Sequence, residues 1–404
     1  MRTHARMRDG FVSISASVSD EVEVSVVMPC LNEADTVATC VAAALRALHQ
    51  ADIHGEVVVA DNGSTDGSPQ LAAGAGGRVV VVRDRGYGAA LMGGIEAARG
   101  VFVVMGDADG SYDFSEVPTF VEKLRGGCEL VQGCRLPSGG GRVLPGAMPA
   151  LHYWLGNPFF SVLARAWFES PVRDIYCGLR AFRKDFQTSL GQRCTGMEFA
   201  PEMVLKAALL GARIGEIPIT LHPDGRRSHP PHLRTFRDGW RTLRLLLLYS
   251  PRWVFLLPGQ LLIALGLIGY AVALPGLRVA GITFDAHTLL FASLGLIVGT
   301  ESLLLFLVTK AYAVREGLLP ADPRLERLVS VVQLETGLLV GIAGWLVGAA
   351  LLVAAINEWR VAGFGPLDYA HTMRRVIPGA TLVVLGTQAA VFGLLASLLS
   401  MQRR

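Results

Sequence analysis

Hydrophobic residues are distributed unevenly along the 404-residue chain. The C-terminal part contains four long apolar runs with at most one charge each, namely Trp253–Leu277, Ala286–Thr309, Thr336–Asn357 and Val376–Met401. Each run is at least as long as the ~20 apolar residues that cross a bilayer. Long helices of soluble domains, the alternative, normally keep one polar face. The pattern therefore predicts an all-α transmembrane domain of four helices over residues 253–404.

Residues 21–230 have a different pattern, in which short apolar strands alternate with helical stretches. Strands are predicted at Val24–Met28, Glu56–Ala60, Arg78–Val82, Val101–Met105 and Leu130–Gln132. Such alternation predicts an α/β domain with a mostly parallel sheet. Ligands of these sheets lie beyond the carboxyl ends of the strands. Residues 1–20 lack the apolar core of a signal peptide and are expected to form a flexible tail.

A basic amphipathic helix is predicted over residues 231–252, just before the first apolar run. Its arginines and its apolar residues recur at helical spacing on neighbouring faces: Arg234, Arg237, Arg241 and Arg244, beside Leu233, Phe236, Trp240 and Leu243. A solvated charge stripe is the alternative, but this pattern beside a span is typical of helices in an anionic membrane interface. The aromatic stretch Leu151–Phe168 fits either lipid contact or a core helix.

Composition narrows the function classes. Charged residues make up 18% of the chain and the net charge is +3, so no chain-wide basic field indicates nucleic-acid binding. The six cysteines include no C-x-x-C pair, which argues against a zinc knuckle and favours a reduced, cytosolic environment.

Acidic residues follow three of the predicted strands, the first of them Glu33, a few residues after Val24–Met28. Asp107 and Asp109 come directly after one strand and Asp61 after another, so they can hold a divalent cation and leave positions for substrate phosphates. A solvated turn is the alternative for Asp107-x-Asp109 alone. The turn Gly86-Tyr87-Gly88 is no dinucleotide fingerprint, because Leu91 stands at the third glycine position.

Several motifs together resemble the family 2 glycosyltransferases, and in particular the dolichyl- and polyprenyl-phosphate sugar synthases. They are Val26-Val27-Met28-Pro29-x-Leu31-Asn32-Glu33, Asp61-Asn62-Gly63-Ser64-Thr65-Asp66-Gly67, Gly86-Tyr87-Gly88-x-Ala90, Asp107-Ala108-Asp109, Val131-Gln132-Gly133-Cys134-Arg135, Asp174-x-x-Cys177-Gly178-Leu179-Arg180, Gly196-Met197-Glu198-Phe199-x-x-Glu202 and Glu216-Ile217-Pro218-Ile219. The resemblance covers roughly residues 22–235 in the family's order.

The resemblance implies the GT-A fold, a Rossmann-like nucleotide-sugar domain. The residues that it assigns to the nucleotide sugar are Pro29, Leu31, Glu33, Asp61, Gly63, Asp107 and Ala108. It assigns Asp107 and Asp109 to a metal, Mg2+ or Mn2+, with Asp109 as the direct ligand. Ser111 stands where relatives place a further polar residue on the metal side.

The resemblance also implies a catalytic set of Asp109, Arg135, Arg180, Glu198 and Arg227. Arg135 matches an arginine that binds a substrate phosphate. Arg227 is placed like an arginine that closes over the donor, although Arg226-Arg227-Ser228-His229 departs from the family's glycine-Ser-Lys pattern. A phosphate acceptor needs no general base. Glu198 and Glu202 would serve as bases for a hydroxyl acceptor, or would orient Arg180 or Arg135.

The expected function is transfer of a hexose from GDP-mannose or UDP-glucose to a polyprenyl or dolichyl phosphate, with inversion. The alternatives are a processive polysaccharide synthase, for which Tyr249 replaces the glutamine of the Q-x-x-R-W motif, and a non-catalytic membrane scaffold. The expected partners are the nucleotide sugar, the lipid acceptor, the membrane and a second copy of the chain, but no nucleic acid.

The expected location is the cell (inner) membrane, as a multi-pass protein with its catalytic domain on the cytoplasmic side. The arginine-rich helix, the basic loop Lys310–Arg327 and the C-terminal arginines fit that side, whereas Arg360, Arg374 and Arg375 count against it. Glu301 and Glu335, in or beside spans, are either functional groups, or else helix–helix hydrogen-bond partners or residues at the membrane interface.

Overall fold

The computed structural model describes residues 21–227, 234–279, 281–320, 323 and 334–400. The described residues form two compact units. The first comprises those of Met1–Ser161, Val172–Val204 and Ala212–Leu233, and the second those of Val162–Pro171, Leu205–Gly211 and Arg234–Arg404. The predicted tail, 1–20, lies outside the described residues, as do Arg324, Arg327, His232, Leu233 and the C-terminal arginines.

The α/β region alternates strands and helices, as its sequence pattern predicts. Its strands are β1 (Val24–Cys30), β2 (Gly55–Asp61), β3 (Arg78–Val81), β4 (Phe102–Met105), β5 (Leu130–Cys134), β6 (Arg142–Val143), β7 (Arg180–Arg183), β8 (Ile214–Pro218) and β9 (Thr220–Leu221). Its helices are α1 (Val37–Gln50), α2 (Ser68–Gly74), α3 (Tyr87–Ala97), α4 (Val117–Arg125), α5 (Asn157–Phe168), α6 (Lys184–Ser189) and α7 (Phe199–Leu209).

Seven of these strands form one sheet in the order β3-β2-β1-β4-β7-β5-β8. All neighbours in this sheet are parallel except β7, which runs antiparallel to both β4 and β5. The predicted Rossmann-like, mostly parallel sheet of a GT-A domain is therefore confirmed. The short strands β6 and β9 pair separately.

Valine-rich central strands hold this unit together. In β1, Val24, Val26 and Val27 are fully buried, and in β2 Val58 and Val59 are fully buried. Strands that helices cover on both faces read as continuous apolar runs, and β-branched side chains pack well on a pleated surface. The central strands therefore place their carboxyl ends in a fixed register, with Cys30 of β1 opposite Asp61 of β2.

The second unit is helical. Besides the C-terminal parts of α5 and α7, its elements are α8 (Thr235–Tyr249), α9 (Leu257–Ala273), the hairpin of β10 (Arg278–Val279) and β11 (Ile282–Thr283), α10 (Ala286–Arg315), α11 (Leu334–Val361) and α12 (Tyr369–Ser400). Within the described residues, four helical segments are long and apolar enough to cross a membrane: Arg252–Ala273, Ala286–Arg315, Leu334–Val361 and Tyr369–Leu398. The four predicted spans are confirmed, each with slightly different bounds.

Glycines let the spans approach backbone to backbone. A Cβ on Gly341 of α11 would lie 2.8 Å from the carbonyl oxygen of Gly386 on α12, and one on Gly348 would lie 2.6 Å from that of Gly379. Small residues at helix interfaces are the usual packing device in lipid, where burial of apolar surface gives little driving force between helices. The α11–α12 pair therefore depends on the absence of side chains at these positions.

Polar side chains also link the spans. Tyr270 on α9 hydrogen bonds to Ser293 on α10 at 2.6 Å. Gln388 Nε2 on α12 donates to Glu301 Oε2 on α10 at 2.8 Å. This contact is the helix–helix hydrogen bond that is one of the two interpretations of Glu301. Glu335 is exposed in the first turn of α11.

The basic helix α8 begins later than the sequence suggests and exposes its arginines. Arg234, at its N-cap, and the three further arginines of the stripe are all exposed. The apolar face is exposed as well, with Phe236 86% and Trp240 62% accessible. The buried face, which sequence spacing missed, consists of Asp238, Thr242, Leu245, Leu246 and Tyr249. Two exposed faces, one basic and one aromatic, fit an interfacial helix.

Candidate active site

The carboxyl ends of β1 and β2 form one side of the candidate site. The carboxylate of Asp61 accepts hydrogen bonds from the amides of Gly63 at 3.1 Å and Ser64 at 3.2 Å, so it shapes its own turn. The positive φ of Gly63, 93°, and the guanidinium of Arg85 beside it leave no room for a side chain there. This turn therefore has a fixed backbone that presents Asp61 and Gly63 together.

Hydrogen bonds join that turn to the chain that leaves β1. The amide of Asn32 donates to Ser64 Oγ at 2.9 Å, and the amide of Thr65 donates to Asn32 Oδ1 at 2.8 Å. The amide of Glu33 donates to Ser68 Oγ at 2.8 Å. Pro29, at the end of β1, and Leu31 after it belong to the same segment. The residues that the resemblance assigns to the nucleoside thus lie on two connected loops.

The Asp107-Ala108-Asp109 segment follows β4, next to β1 in the sheet. Thr36 Oγ1 donates to the carbonyl of Ala108 at 2.7 Å, which fixes the segment against the start of α1. The carboxylate of Asp109 accepts hydrogen bonds at Oδ1 from both the amide and the hydroxyl of Ser111, at 2.9 and 2.6 Å. Ser111 therefore orients Asp109 and leaves Oδ2 for other partners.

Asp107 is half-buried, and a tyrosine of the glycine turn contacts it. Tyr87 OH donates to Asp107 Oδ1 at 2.9 Å. Burial and the neighbouring charge of Asp109 raise the pKa of Asp107 well above its usual range, and Tyr87, Arg226 and Arg135 oppose that rise. A cation beside such a carboxyl group favours its ionised form.

Arg226 joins the two loop systems. Its Nε lies 2.9 Å from Glu33 Oε2, and its Nη2 lies 2.7 Å from Glu33 Oε1 and 3.2 Å from Asp109 Oδ2. Glu33 and Asp109 are both buried, so this guanidinium neutralises charge that water reaches poorly. The sequence resemblance instead pointed to Arg227 as the arginine that closes over the nucleotide-sugar donor.

Arg227 has a different environment from its neighbour. Its amide donates to Asp35 Oδ2 at 3.0 Å, and the residue is exposed. Ser228 and His229, which complete the unusual motif, lie outside the described residues. Of the two adjacent arginines, Arg226 is the one that contacts the candidate site. The sequence gives little indication of which arginine contacts the site, because two adjacent arginines cannot be told apart before the fold is known.

Arg135 leaves the end of β5 and forms a buried ion pair with Asp174. Its Nε and Nη2 donate to the two oxygens of Asp174 at 2.7 and 2.9 Å. Nη1 makes no hydrogen bond within the described residues. Asp174 belongs to the Asp174-x-x-Cys177 motif, so the sequence pointed to this residue. The motif did not indicate that Asp174 pairs with Arg135.

Arg180 is fully buried, and its donors point at backbone carbonyl oxygens. Its Nη1 donates to Ala200 and its Nη2 to Cys177, at 2.6 and 2.7 Å. Burial lowers the pKa of Arg180, an effect that nearby Cys177 and Tyr87 partly offset. This geometry holds the segment before β7 and the start of α7 in place, whereas the sequence grouped Arg180 with the catalytic residues.

The two glutamates near α7 differ in their surroundings. Glu202 is buried, and its carboxylate accepts hydrogen bonds from the amides of Arg193 and Cys194 at 3.1 and 2.9 Å. Glu198 is half-buried just before α7, and its carbonyl oxygen accepts the amide of Glu202. The carboxylate that orients Arg135 is thus Asp174, which corrects the alternative that gave this task to a glutamate.

Glycines permit close backbone approaches around the site. A Cβ on Gly86 would lie 2.3 Å from the carbonyl oxygen of Thr195, and one on Gly88 would lie 2.5 Å from that of Cys194. Packing therefore explains this glycine turn. Gly178 is different, because a Cβ there would lie 2.9 Å from Asp107 Oδ2 and 3.0 Å from Tyr112 OH.

The donor set suits a hard divalent cation. Asp109 Oδ2 and the Asp107 carboxylate are oxygen ligands of the kind that Mg2+ and Mn2+ use together with substrate phosphates. The guanidinium of Arg226 lies 3.2 Å from Asp109 Oδ2, which shows that a positive charge can reach this oxygen. Among the described residues, no group of three or more His, Cys, Asp and Glu side chains could hold a metal alone. A cation here would thus need substrate oxygens to complete its shell.

Comparisons with known proteins agree with this geometry. The family described as "Glycosyl transferase family 2" matches residues 25–189, and "Glycosyltransferase family 2 C-terminal transmembrane region" matches residues 307–400. The first match spans β1 to α6 and contains most of the candidate site. The second spans the end of α10 and all of α11 and α12.

Two relatives from Haloferax volcanii match this chain, one over most of its length and the other over about half. The "Low-salt glycan biosynthesis hexosyltransferase Agl6" is 35% identical over 94% of this chain and 88% of its own length. The "Dolichyl-phosphate hexose transferase" is 30% identical over 54% of this chain and 89% of its own length. Among solved structures, glucosyl-3-phosphoglycerate synthase from Mycobacterium tuberculosis has a TM-score of 0.43 at 22% identity, over 56% of this chain and 77% of that one. On the matches in sequence, from β1 to the last span, this chain belongs to the family 2 glycosyltransferases and carries that family's transmembrane region.

Proposed function

We propose that this membrane glycosyltransferase moves one hexose from a nucleotide sugar, GDP-mannose or UDP-glucose, to a polyprenyl or dolichyl phosphate. The observation that carries the proposal is the Asp107–Asp109 carboxylate pair, which lies beside the nucleoside loops in a chain that also has four spans. The names of two relatives, a hexosyltransferase and a dolichyl-phosphate hexose transferase, support the same substrate classes.

The chemistry follows from the charges of the groups that react. A phosphate oxygen of the acceptor attacks C1 of the sugar while the bond from C1 to the nucleotide diphosphate breaks, and the configuration at C1 inverts. The attacking oxygen is already an anion near neutral pH, so no general base is required. A bound Mg2+ or Mn2+ would neutralise charge on the leaving diphosphate. Asp107 and Asp109 are the residues that would hold it.

The chain's own residues supply position and positive charge. Glu33, Asp61 and Gly63 would bind the nucleoside, and Pro29, Leu31 and Ala108 would line its site. Arg135, which Asp174 orients, would bind a substrate phosphate through Nη1. Fixed cationic donors of this kind stabilise developing negative charge because they need no reorganisation during the reaction.

We further propose that the catalytic domain faces the cytoplasm of the cell membrane. The exposed arginines of α8 support this side. Of the three arginines that count against it, two are paired, since Arg374 lies 3.5 Å from Asp285 and Arg375 lies 2.8 Å from Glu358. Reporter fusions after residue 404 and in the β10–β11 hairpin test this topology. Cytoplasmic signal from the hairpin fusion would contradict it.

The test of activity uses the full chain in nanodiscs with a short polyprenyl phosphate, Mg2+ or Mn2+, and radiolabelled UDP-glucose or GDP-mannose in parallel. We expect label in the lipid phase with one donor, and a loss of that label with EDTA. An Asp109→Asn variant serves as the matched negative control. Long water-soluble polymer would indicate a processive synthase, and donor binding without turnover on any acceptor would indicate a scaffold. Either result would overturn the proposal.

A further inference from the structure

Arg226 binds the oxygen that the proposed metal needs. The guanidinium lies against Glu33, a proposed nucleotide residue, and against Oδ2 of Asp109, the proposed direct metal ligand. The other oxygen of Asp109 is already taken by Ser111. A divalent cation on Asp109 and the side chain of Arg226 would therefore use the same atom.

The backbone around Arg226 fixes it at this place. The amide of Gly225 donates to the carbonyl of Asp109 at 2.8 Å, and the amide of His222 donates to that of Ser111 at 3.0 Å. A Cβ on Gly225 would lie 2.7 Å from Thr36 Cγ2, so this segment packs closely on the start of α1. Main-chain hydrogen bonds thus hold the backbone of Arg226 beside the Asp109 loop. Only the side chain of Arg226 needs to move when a cation binds Asp109.

Charge makes the two cations competitors. Burial would lower the pKa of Arg226, but the hydrogen bond to Glu33 and the charges of Asp109, Glu33 and Asp107 raise it overall. The guanidinium therefore stays charged. Two cations within a few ångström of one oxygen repel each other strongly at a partly buried site. A cation that takes Asp109 Oδ2 must displace the guanidinium.

We propose that Arg226 and the divalent cation exchange at Asp109, and that the nucleotide diphosphate takes up the displaced guanidinium. The inference rests on the proposed function, because the diphosphate is the anion that arrives together with the cation. Without nucleotide, a cation on Asp109 would remove one of the three acidic partners of Arg226 and leave it with Glu33 and, at 3.8 Å, Asp224. With nucleotide, the guanidinium exchanges one anion for another. Metal and nucleotide binding are therefore coupled through Arg226, and such coupling is reciprocal.

The experiment measures Mn2+ binding rather than activity. Full-length protein in nanodiscs is titrated with Mn2+, and free Mn2+ is read by electron paramagnetic resonance, alone and with UDP or GDP. In Arg226→Ala, we expect Mn2+ alone to bind about tenfold or more tightly than in the unaltered chain, because a competing charge is gone. The enhancement of Mn2+ affinity by nucleotide should shrink by a similar factor.

Arg227→Ala is the matched control, since it removes the neighbouring positive charge from an exposed position. Its Mn2+ affinity should change by less than about threefold, because exposed charges are screened. Arg226→Lys keeps the charge but loses the forked geometry, so it should fall between the unaltered chain and Arg226→Ala. Thermal unfolding of each variant verifies that the chain remains folded.

The outcomes separate the two proposals. Equal Mn2+ affinity in Arg226→Ala, Arg227→Ala and the unaltered chain would overturn the exchange and leave the proposed metal site intact. Weaker Mn2+ binding in folded Arg226→Ala would also overturn it, because Arg226 would then support the metal. Absence of Mn2+ binding from the unaltered chain, even with nucleotide, would contradict the metal-dependent function itself, and the exchange with it.

Discussion

Asp109 in the first unit and Glu301 in the second are both acids removed from open water, but their partners differ. Asp109 lies near Asp107 and shares the guanidinium of Arg226 with Glu33 and, at 3.8 Å, with Asp224, so four carboxylates face one cation. Glu301 accepts one hydrogen bond from the neutral amide of Gln388. Within the described residues, Glu301 has no ion pair.

This difference indicates what each acid can do. A cluster with more carboxylates than cations keeps negative charge that a divalent cation can neutralise, which suits a site for a nucleotide and its metal. A single acid held by an amide between two helices gains a hydrogen bond and no excess charge, which suits a link between spans. The sharpest tests therefore compare variants of the two acids, and variants of one closely packed glycine in each unit.

The largest effect is expected for Asp109→Asn. The change keeps the shape of the side chain but removes the charge that would bind the cation, so activity should fall about 100-fold or more. The measurement is initial rate of transfer to the lipid acceptor. Asp113→Asn is the matched control: Asp113 is exposed and caps a single turn through Ser115, and its variant should stay within about twofold. Full activity in Asp109→Asn would break the contrast between the units.

A second large effect is expected for Gly178→Ala. The new methyl group would lie 2.9 Å from Asp107 Oδ2 and 3.0 Å from Tyr112 OH, so Asp107 or the backbone must shift. Activity should fall about tenfold, with a loss of about 1–3 kcal/mol of stability from overpacking. In Gly74→Ala nothing lies within 4 Å of the added carbon, and that helical variant should be fully active. Equal activity of both variants would show that the position of Asp107 does not limit the reaction.

In the second unit, the expected effect of Gly341→Ala is on stability. The methyl group would lie 2.8 Å from the carbonyl of Gly386, so α11 and α12 must separate. We expect a loss of about 1–3 kcal/mol and a lower unfolding temperature in nanodiscs. Ala354→Leu on the same helix adds bulk at an exposed position and should leave that temperature unchanged. The same fall in both variants would mean that glycine packing does not hold the spans together.

The smallest effect is expected for Glu301→Gln. A glutamine still pairs with Gln388, so transfer activity should stay within about twofold and stability should change by less than about 0.6 kcal/mol. Glu301→Leu, which removes the hydrogen bond, should lower stability by about 0.6–1.7 kcal/mol. If Glu301→Gln lost activity as Asp109→Asn does, the membrane acid would be functional and the two regions would no longer differ.

Periodic features were predictable from the sequence because they depend on local patterns. The runs that became the four spans and the strands that end at Asp61 and before Asp107 are set by apolar content and turn residues. The order of motifs along the chain also indicated which loops meet, because parallel strands bring their carboxyl ends to one edge. Helix ends moved by a few residues, as at α8.

Partner choice among charged side chains was not predictable. Arg226 and Arg227 are adjacent and chemically equal, yet only the backbone register against Asp109 decides which of them meets the acids. Arg135 likewise finds Asp174, 39 residues later, because β7 returns beside β5. Such long-range pairings depend on the assembled sheet and leave no local pattern.

The reversed strand β7 has a consequence for the order in which the chain matures. β4 and β5 are not neighbours in the sheet, and β7 pairs with both, so Arg180 lies opposite Met105 and Gln132. During synthesis, everything up to Arg135 emerges while β4 and β5 still have open edges of the kind that recruit foreign strands. The arrival of β7 fills the gap between β4 and β5 and, through the segment before it, brings Asp174 and Gly178 to the candidate site. The strand β8, which covers the other edge of β5, and Arg226 come later still. A nascent chain that stalls before residue 183 therefore has open strand edges that favour aggregation and lacks part of its candidate site.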